Sequence, residues 1–137
     1  MTAEQQEILE GSNEICKFLK FELVRENIYR VPNNFPHEED TGWTEWSSDC
    51  IGFHTDWNML MLVVEKIDSF EGITISLKGS QFQIRTSEKI FKVHTINIKN
   101  SIYKCVTQFA KWYNQQQTDK HSVQINKDWY YYIIKIS

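Results

Sequence analysis

Residues 53–67 read FHTDWNMLMLVVEKI, a short polar turn followed by a helix with very few polar positions. Thr55 or Asp56 can accept a hydrogen bond from the free N–H groups of the first helical turn, which predicts where the helix begins. Apolar residues then recur at helical spacing and on more than one face: Trp57, Met59, Leu60, Met61, Leu62, Val63, Val64 and Ile67. A helix this apolar is covered on most sides, so we expect residues 55–68 to lie in the core.

A second main helix is predicted over residues 101–116, because its apolar and polar residues separate onto two faces. The apolar face holds Ile102, Cys105, Val106, Phe109, Trp112 and Tyr113. We expect the two helices to meet a sheet in one core formed by Trp57, Leu60, Val64, Phe109 and Trp112. Residues 4–20 also read as helix, in two parts, because Gly11-Ser12-Asn13 interrupts the pattern.

Several segments have the composition or alternation of β-strands, and they lie at 21–31, 73–77, 82–85, 90–98, 123–125 and 129–136. Residues 78–81 suit a hairpin loop between two of them. Hairpins beside scattered helices favour an α+β fold: an antiparallel sheet of about four or five strands, two main helices packed on it and a short N-terminal helix. Neither a linker nor a repeat divides the chain, which predicts a single α+β domain over residues 1–137.

Residues 32–52 form one long loop without a regular pattern, and loops of this length in compact domains are often functional. Its acidic and aromatic residues include Glu38, Glu39, Asp40, Trp43 and Trp46. Tryptophan dominates many interfaces, because a large rigid ring gains contact area at little entropic cost. One interpretation is that the two rings anchor a partner, with the acidic residues as a rim that prefers a basic surface. The other is that the loop folds back and both rings cover the helix at 55–68.

Residues 127–135 read KDWYYYIIK and would place aromatic rings on both faces of a strand. One interpretation is a stacking platform for single-stranded nucleic acid, with Trp129 and Tyr131 against the bases. The other is a central strand that is buried on both faces. The residue types alone fit either arrangement.

His54 and Asp56 come closest to a catalytic pair, as a general base or as half of a metal site. The alternative is structural, because a helix cap at Asp56 or Thr55 accounts for these residue types without any chemistry. Cys50 lies in the same region without a nucleophile motif around it. No further metal ligand stands at a recognisable spacing and no glycine-rich phosphate loop is present, so the sequence predicts neither a metal site nor a cofactor.

The net charge of −3 is too small to indicate binding to nucleic acid or to an anionic membrane. Three cysteines, Cys16, Cys50 and Cys105, leave one unpaired in any disulfide arrangement, and this favours a reducing compartment. The first residues do not form a signal peptide, and no apolar run reaches transmembrane length. We therefore expect a cytoplasmic protein that does not enter a membrane.

Several sequence blocks together resemble one group of proteins. These blocks are Asn13-Glu14-Ile15 with Phe18-Leu19, Ile28 to Pro32, Phe53-His54 with Asp56-Trp57-Asn58, Val63 to Ile67, and Val106 and Phe109 with Lys111 to Asn114. In them the chain resembles short uncharacterised proteins carried by phages and prophages of Bacteroidota, and it is similar to the phage ABA (α-β-α) sandwich domain. It departs from that pattern at residues 43–50 and 129–136. The resemblance implies a fold and accessory phage functions, including inhibition of host defence, and it supplies no catalytic residues.

The first functional hypothesis is therefore a non-enzymatic phage or prophage protein that binds a host protein or ribonucleoprotein in the host cytoplasm. An anti-defence inhibitor such as an anti-CRISPR, which engages an RNA-guided nuclease, is one form of this hypothesis. The second hypothesis is a module that binds nucleic acid or a nucleotide-type small molecule by aromatic stacking. The third, ranked last, is an enzyme that uses His54 and Asp56.

Overall fold

The structure is a computed structural model that describes residues 1–33, 35 and 42–136, with side chains as far as residue 118. Its elements follow in the order α1 (Ala3–Phe18), β1 (Glu22–Arg25), β2 (Ile28–Pro32), β3 (Trp43–Ser47), a short 3-10 helix (Ser48–Cys50), α2 (Trp57–Asp68), β4 (Thr74–Lys78), β5 (Gln81–Arg85), β6 (Ile90–His94) and α3 (Ile98–Ile136). The predicted α+β class is confirmed.

The strands form two antiparallel sheets of three strands each, in the orders β1-β2-β3 and β4-β5-β6, so the predicted single sheet of four or five strands is wrong. Two features of the first sheet explain the difference. Residues 21–31 make a hairpin and not one strand, because the chain reverses at Asn27, whose φ is +63°. Asparagine tolerates this left-handed conformation better than most residues, so it can close a turn without glycine. The third strand, β3, lies within residues 32–52, which had been predicted to be irregular.

The C-terminal strands predicted at 123–125 and 129–136 are wrong, because α3 continues as one helix to Ile136. The sequence from Ile98 to Ile136 contains neither glycine nor proline, so no residue in it is a strong helix breaker. Aromatic and β-branched residues near the C-terminus favour a strand only weakly, since β-propensity depends on a neighbouring strand to pair with. Trp129 and Tyr131 therefore lie on a helix, and their side chains are outside the described residues.

α1 is also one continuous helix, so the interruption predicted at Gly11-Ser12-Asn13 is wrong. Gly11 allows α1 and α3 to approach closely: a Cβ atom there would lie 2.8 Å from Cγ2 of Thr107 and 2.9 Å from the hydroxyl of Tyr103. The next residue, Ser12, is buried and its Oγ lies 3.0 Å from the same Tyr103 hydroxyl. Gly11 and Ser12 thus contribute to the packing of α1 on α3 and do not end the helix.

The core forms where α3 packs against α1, α2, β5 and β6. Leu60 and Phe109 are fully buried, as predicted, while Val64 and Trp112 are half-buried at the margin of the core. The prediction for Trp57 is wrong, because 44% of its surface is exposed. Trp57 is the first residue of α2, and its ring lies 5.6 Å from Nζ of Lys99 at the surface. Only one stripe of α2, namely Leu60, Val63 and Ile67, is fully buried.

Replacement of Gly11 by Ala tests the close approach of α1 to α3. Helix propensity alone would stabilise the variant, but overpacking against Tyr103 and Thr107 should outweigh that gain, and we expect a net loss of about 1–2 kcal/mol in the free energy of unfolding. Chemical denaturation monitored by circular dichroism measures it. Glu10→Ala on the exposed side of α1 is the matched control and should change stability by less than about 0.5 kcal/mol. A stabilised Gly11→Ala variant would contradict the packing.

Candidate functional site

β3 forms one edge of the first sheet and holds both tryptophans that the sequence singled out. Side chains alternate between the two faces of a strand, so residues three apart point to opposite faces. The register with β2 agrees, because Trp43 lies opposite Pro32 and Trp46 lies opposite the buried Tyr29. The structure therefore brings Trp43 and Trp46 to one strand edge but on opposite faces of the sheet.

Trp43 lies on the outer face and is held in place by a cation. The guanidinium carbon of Arg30 is 3.9 Å from the centre of the Trp43 ring, and Nη1 of Arg30 also lies 3.3 Å from Oε2 of Glu22. Stacking of this kind is worth about 0.5–1 kcal/mol at an exposed position. The ring nevertheless remains 49% exposed, so a large, partly ordered apolar surface faces solvent.

Trp46 lies on the inner face and is 47% exposed. Its ring borders a cavity of about 340 Å³ between β2, β3 and the start of α2. The residues around this cavity include Val31, Phe35, Cys50, Ile51 and Met59, so its walls are mainly apolar. The cavity is large enough to receive one apolar side chain, and Trp46 forms one of its walls.

The acidic rim predicted at Glu38, Glu39 and Asp40 lies outside the described residues, as do the side chains of Trp129 and Tyr131. Of the residues predicted to bind a partner, the structure therefore describes only Trp43 and Trp46. The sequence missed the strand that carries them and the cavity next to Trp46. The alternation in Trp43-Thr44-Glu45-Trp46-Ser47 is too irregular to have revealed either.

Asp56 is the N-cap of α2: its Oδ1 accepts a hydrogen bond from the backbone N–H of Asn58 at 2.8 Å. Thr55 contributes less, since its Oγ1 is 3.5 Å from the carbonyl oxygen of Gly52. The carboxylate is thus engaged by the helix, as the structural interpretation of this turn expected. His54 points elsewhere, with its ring centre 5.9 Å from that of Tyr103.

His54 borders a polar cleft of about 490 Å³ between the N-terminal ends of α1 and α3. Nδ1 of His54 is buried and has no hydrogen-bond partner among the described residues. Glu7 and Lys104 border the same cleft, 3.9 Å apart, so their charges offset one another. Burial raises the pKa of Tyr103 to about 12, so its hydroxyl stays protonated and donates to the carbonyl oxygen of Ile8 at 2.9 Å.

Two of the three cysteines are buried between helices and strands. Burial raises the pKa of Cys105 to about 12 and raises the pKa of Cys16 further still, so both side chains remain neutral thiols. Cys50 is exposed and borders the cavity beside Trp46.

Across the described side chains, no group of three His, Cys, Asp or Glu residues is placed to hold a metal ion. None of the helices in the described part of the chain combines the length and apolar character needed to cross a membrane.

No protein-family model, curated protein or solved structure matches this chain. The resemblance to phage proteins of Bacteroidota and to the phage ABA sandwich domain therefore stays a prediction. A proposal for the function of the chain therefore depends on the positions and contacts of the described residues.

Asp56→Ala should lower the free energy of unfolding by about 0.5–2 kcal/mol, because the first N–H groups of α2 lose their acceptor. Thr55→Ala should cost less than about 0.5 kcal/mol, since the Thr55 side chain is exposed and its hydroxyl makes one long hydrogen bond, while its backbone contacts remain in the variant. Urea denaturation of the two single variants measures the difference. Equal losses in both variants would contradict the assignment of Asp56 as the cap.

Proposed function

We propose that this chain is a non-enzymatic interaction protein that binds a partner protein along the edge strand β3. The observation that supports this most directly is the pair of half-exposed tryptophans, one on each face of that edge. A ring of this size left in solvent gains nothing, whereas burial at a contact can supply several kcal/mol. Two such rings within one five-residue strand favour a binding role for the strand.

The proposed mode is addition of an extended segment of the partner to β3. No further strand pairs with β3 within the described residues, so its outer N–H and C=O groups are available for hydrogen bonds. Backbone hydrogen bonds supply affinity in this mode, and pockets for alternate side chains supply specificity. A partner strand at this edge would run between the two rings, with Trp43 against one of its faces and Trp46 against the other.

The cavity beside Trp46 gives this mode its specificity. Its walls at Val31, Phe35 and Met59 are apolar, and its volume of about 340 Å³ can receive a side chain of the partner. Arg30 already orders the ring of Trp43, so less side-chain entropy is lost when a partner covers it. We therefore expect an aliphatic or aromatic residue of the partner to enter the cavity while the neighbouring residue packs on Trp43.

The wider proposal is that the chain is a phage or prophage accessory protein whose partner is a host protein or ribonucleoprotein, with an anti-defence inhibitor such as an anti-CRISPR as one form. This part rests on the sequence resemblance. The acidic rim of Glu38, Glu39 and Asp40 remains part of the proposal because of its position next to β3 in the sequence. The assignment as non-enzymatic is supported by the use of Asp56 as a helix cap, which engages the carboxylate of the one candidate pair.

Trp43→Ala and Trp46→Ala should each weaken capture of the partner, by about 2 kcal/mol or roughly 30-fold in affinity if each ring is a hot spot. A tagged pull-down from a host lysate, with and without nuclease treatment, identifies the partner. Titration by biolayer interferometry then measures the affinities of the variants. Neither substitution should change the circular dichroism spectrum, because both rings are half-exposed.

Trp57→Ala is the matched control, since this tryptophan is exposed to a similar extent but contacts Lys99 of α3 and does not border the cavity beside Trp46. It should bind the partner as the unchanged protein does. Wild-type affinity in both β3 variants, or an equal loss in the Trp57 control, would contradict the proposal.

A further inference from the structure

The second sheet has an outer face that turns away from α3, and the strand register shows which residues form it. Ile75, Ile84 and Phe91 lie in one row across the sheet and point inward to the core. The residues between these inward positions therefore point outward. They are Thr74, Ser76 and Lys78 of β4, Gln81, Gln83 and Arg85 of β5, and Ile90, Lys92 and His94 of β6. We call this set the basic face.

The basic face carries cations without carboxylates. Lys78, Arg85 and Lys92 are exposed, and none of them forms an ion pair within the described part of the chain. Between them lie the neutral side chains of glutamine, serine and threonine. The face therefore has three formal positive charges on a chain whose net charge is −3.

The outer face of the first sheet shows that this arrangement is not a general property of the protein's sheets. There, Arg30 lies 3.3 Å from Glu22 on the adjacent strand β1, and Arg25 of β1 lies 3.3 Å from Glu45 of β3, across β2, so each cation has a carboxylate on another strand of the sheet. Cross-strand pairs of opposite charge stabilise a solvated sheet face. The second sheet lacks such pairs on its outer side, so its positive potential is not cancelled locally.

The negative charge of the chain is concentrated elsewhere. Among described residues, α1 contains four glutamates and one lysine: Glu4, Glu7, Glu10, Glu14 and Lys17. Glu71 precedes β4 in the sequence, and Glu88 lies within the β5–β6 turn. Both border a cavity of about 590 Å³ beside Trp112, on the side of the sheet that faces α3. The overall acidity of the chain therefore does not describe this surface.

The cations are spaced across the whole face. Neighbouring strands lie about 4.8 Å apart and alternate residues about 6.8 Å apart along a strand, which puts the Cα atoms of Lys92 and Arg85 about 8 Å apart and those of Lys78 and Lys92 about 12 Å apart. Long side chains at these positions can reach several charges of one polyanion. Gln81 and Gln83, in the middle strand, supply both donors and acceptors between the cations.

We propose that the basic face binds single-stranded nucleic acid through its phosphates. Charge complementarity selects a polyanion, and the shallow three-stranded face offers no protruding helix or ribbon to enter the groove of a duplex. A single strand can instead lie across the sheet, with phosphates at the lysines and arginine and base edges near the glutamine amides. Among the described residues of this face, the imidazole of His94 is the one ring, and Trp, Tyr and Phe are absent from it, so binding is mainly electrostatic and only weakly sequence-dependent.

The basic face consists of residues of β4, β5 and β6. It therefore includes neither Trp129 and Tyr131, which the sequence suggested for stacking on bases, nor any residue of the edge strand β3. The triple variant Lys78→Gln, Arg85→Gln and Lys92→Gln tests it with the full-length chain. Fluorescence anisotropy with a labelled single-stranded oligonucleotide of about 12 nucleotides is the measurement. We expect at least a tenfold loss of affinity. For the unchanged protein, the slope of log K against log salt should be about −2, which corresponds to three phosphate contacts.

The matched control removes the same charge from other surfaces by Lys17→Gln, Lys66→Gln and Lys111→Gln, all at exposed positions. It should keep most of the affinity and the salt slope. The double variant Trp43→Ala and Trp46→Ala should also bind the oligonucleotide normally, which separates this inference from the proposed function. Circular dichroism and thermal melting show that each variant is folded.

Three results would overturn the inference: no detectable binding at low salt, an equal loss in both triple variants, or a salt slope near zero. A fourth result that would overturn it comes from experiments with other polyanions as probes. If the basic face binds a poly-glutamate peptide or vesicles containing phosphatidylserine, and the oligonucleotide remains unbound, its partner is an acidic protein segment or a membrane and not nucleic acid.

Discussion

The close contact at Gly11 sets how α1 and α3, the two longest helices, pack against each other. The hydroxyl of Tyr103 enters the space left by the missing side chain, donates to the carbonyl oxygen of Ile8 and lies within hydrogen-bond distance of Ser12. Its raised pKa, about 12, means that the folded state favours the protonated phenol. The stability from this group is complete below the ordinary tyrosine pKa of about 10 and is lost as the pH rises toward 12.

From this contact, one asparagine connects the helices to the first sheet. Nδ2 of Asn13 donates to Oδ1 of Asn27 at 2.7 Å, and Oδ1 of Asn13 accepts from the hydroxyl of Ser48 at 2.6 Å. Asn27 closes the β1–β2 turn, and Ser48 directly follows β3. The proposed binding edge is therefore positioned by polar contacts that begin in the helix packing, while the basic face is positioned by the apolar packing of α3 on the second sheet. The two proposed surfaces depend on different interactions.

The sequence predicted the elements whose signals are local. The cap at Asp56, the α2 helix, the hairpin of β4 and β5 and the first part of α3 all follow from residue spacing and from turn residues. It did not predict the features that depend on a contact far along the chain. Gly11 resembles a helix breaker until Tyr103 and Thr107 are placed against it, and the aromatic C-terminus resembles a strand although it continues the helix α3.

The two candidate surfaces also depend on structural information that the sequence does not contain. Trp43 and Trp46 could be singled out by residue type, but their placement on opposite faces follows only once they are known to lie on a strand. The basic face could not be predicted from composition, since the net charge is negative and the register is needed to show which side chains share a face.

Hydrogen–deuterium exchange of the chain, free and in complex with the captured partner, tests directly whether β3 is the edge that binds the partner. The outward N–H groups of residues 43–47 have no pairing strand in the described structure and should exchange rapidly in the free protein. Their exchange should slow markedly in the complex, while exchange of α2 residues away from the cavity should change little. Unchanged exchange along β3, with protection confined to another surface, would contradict it.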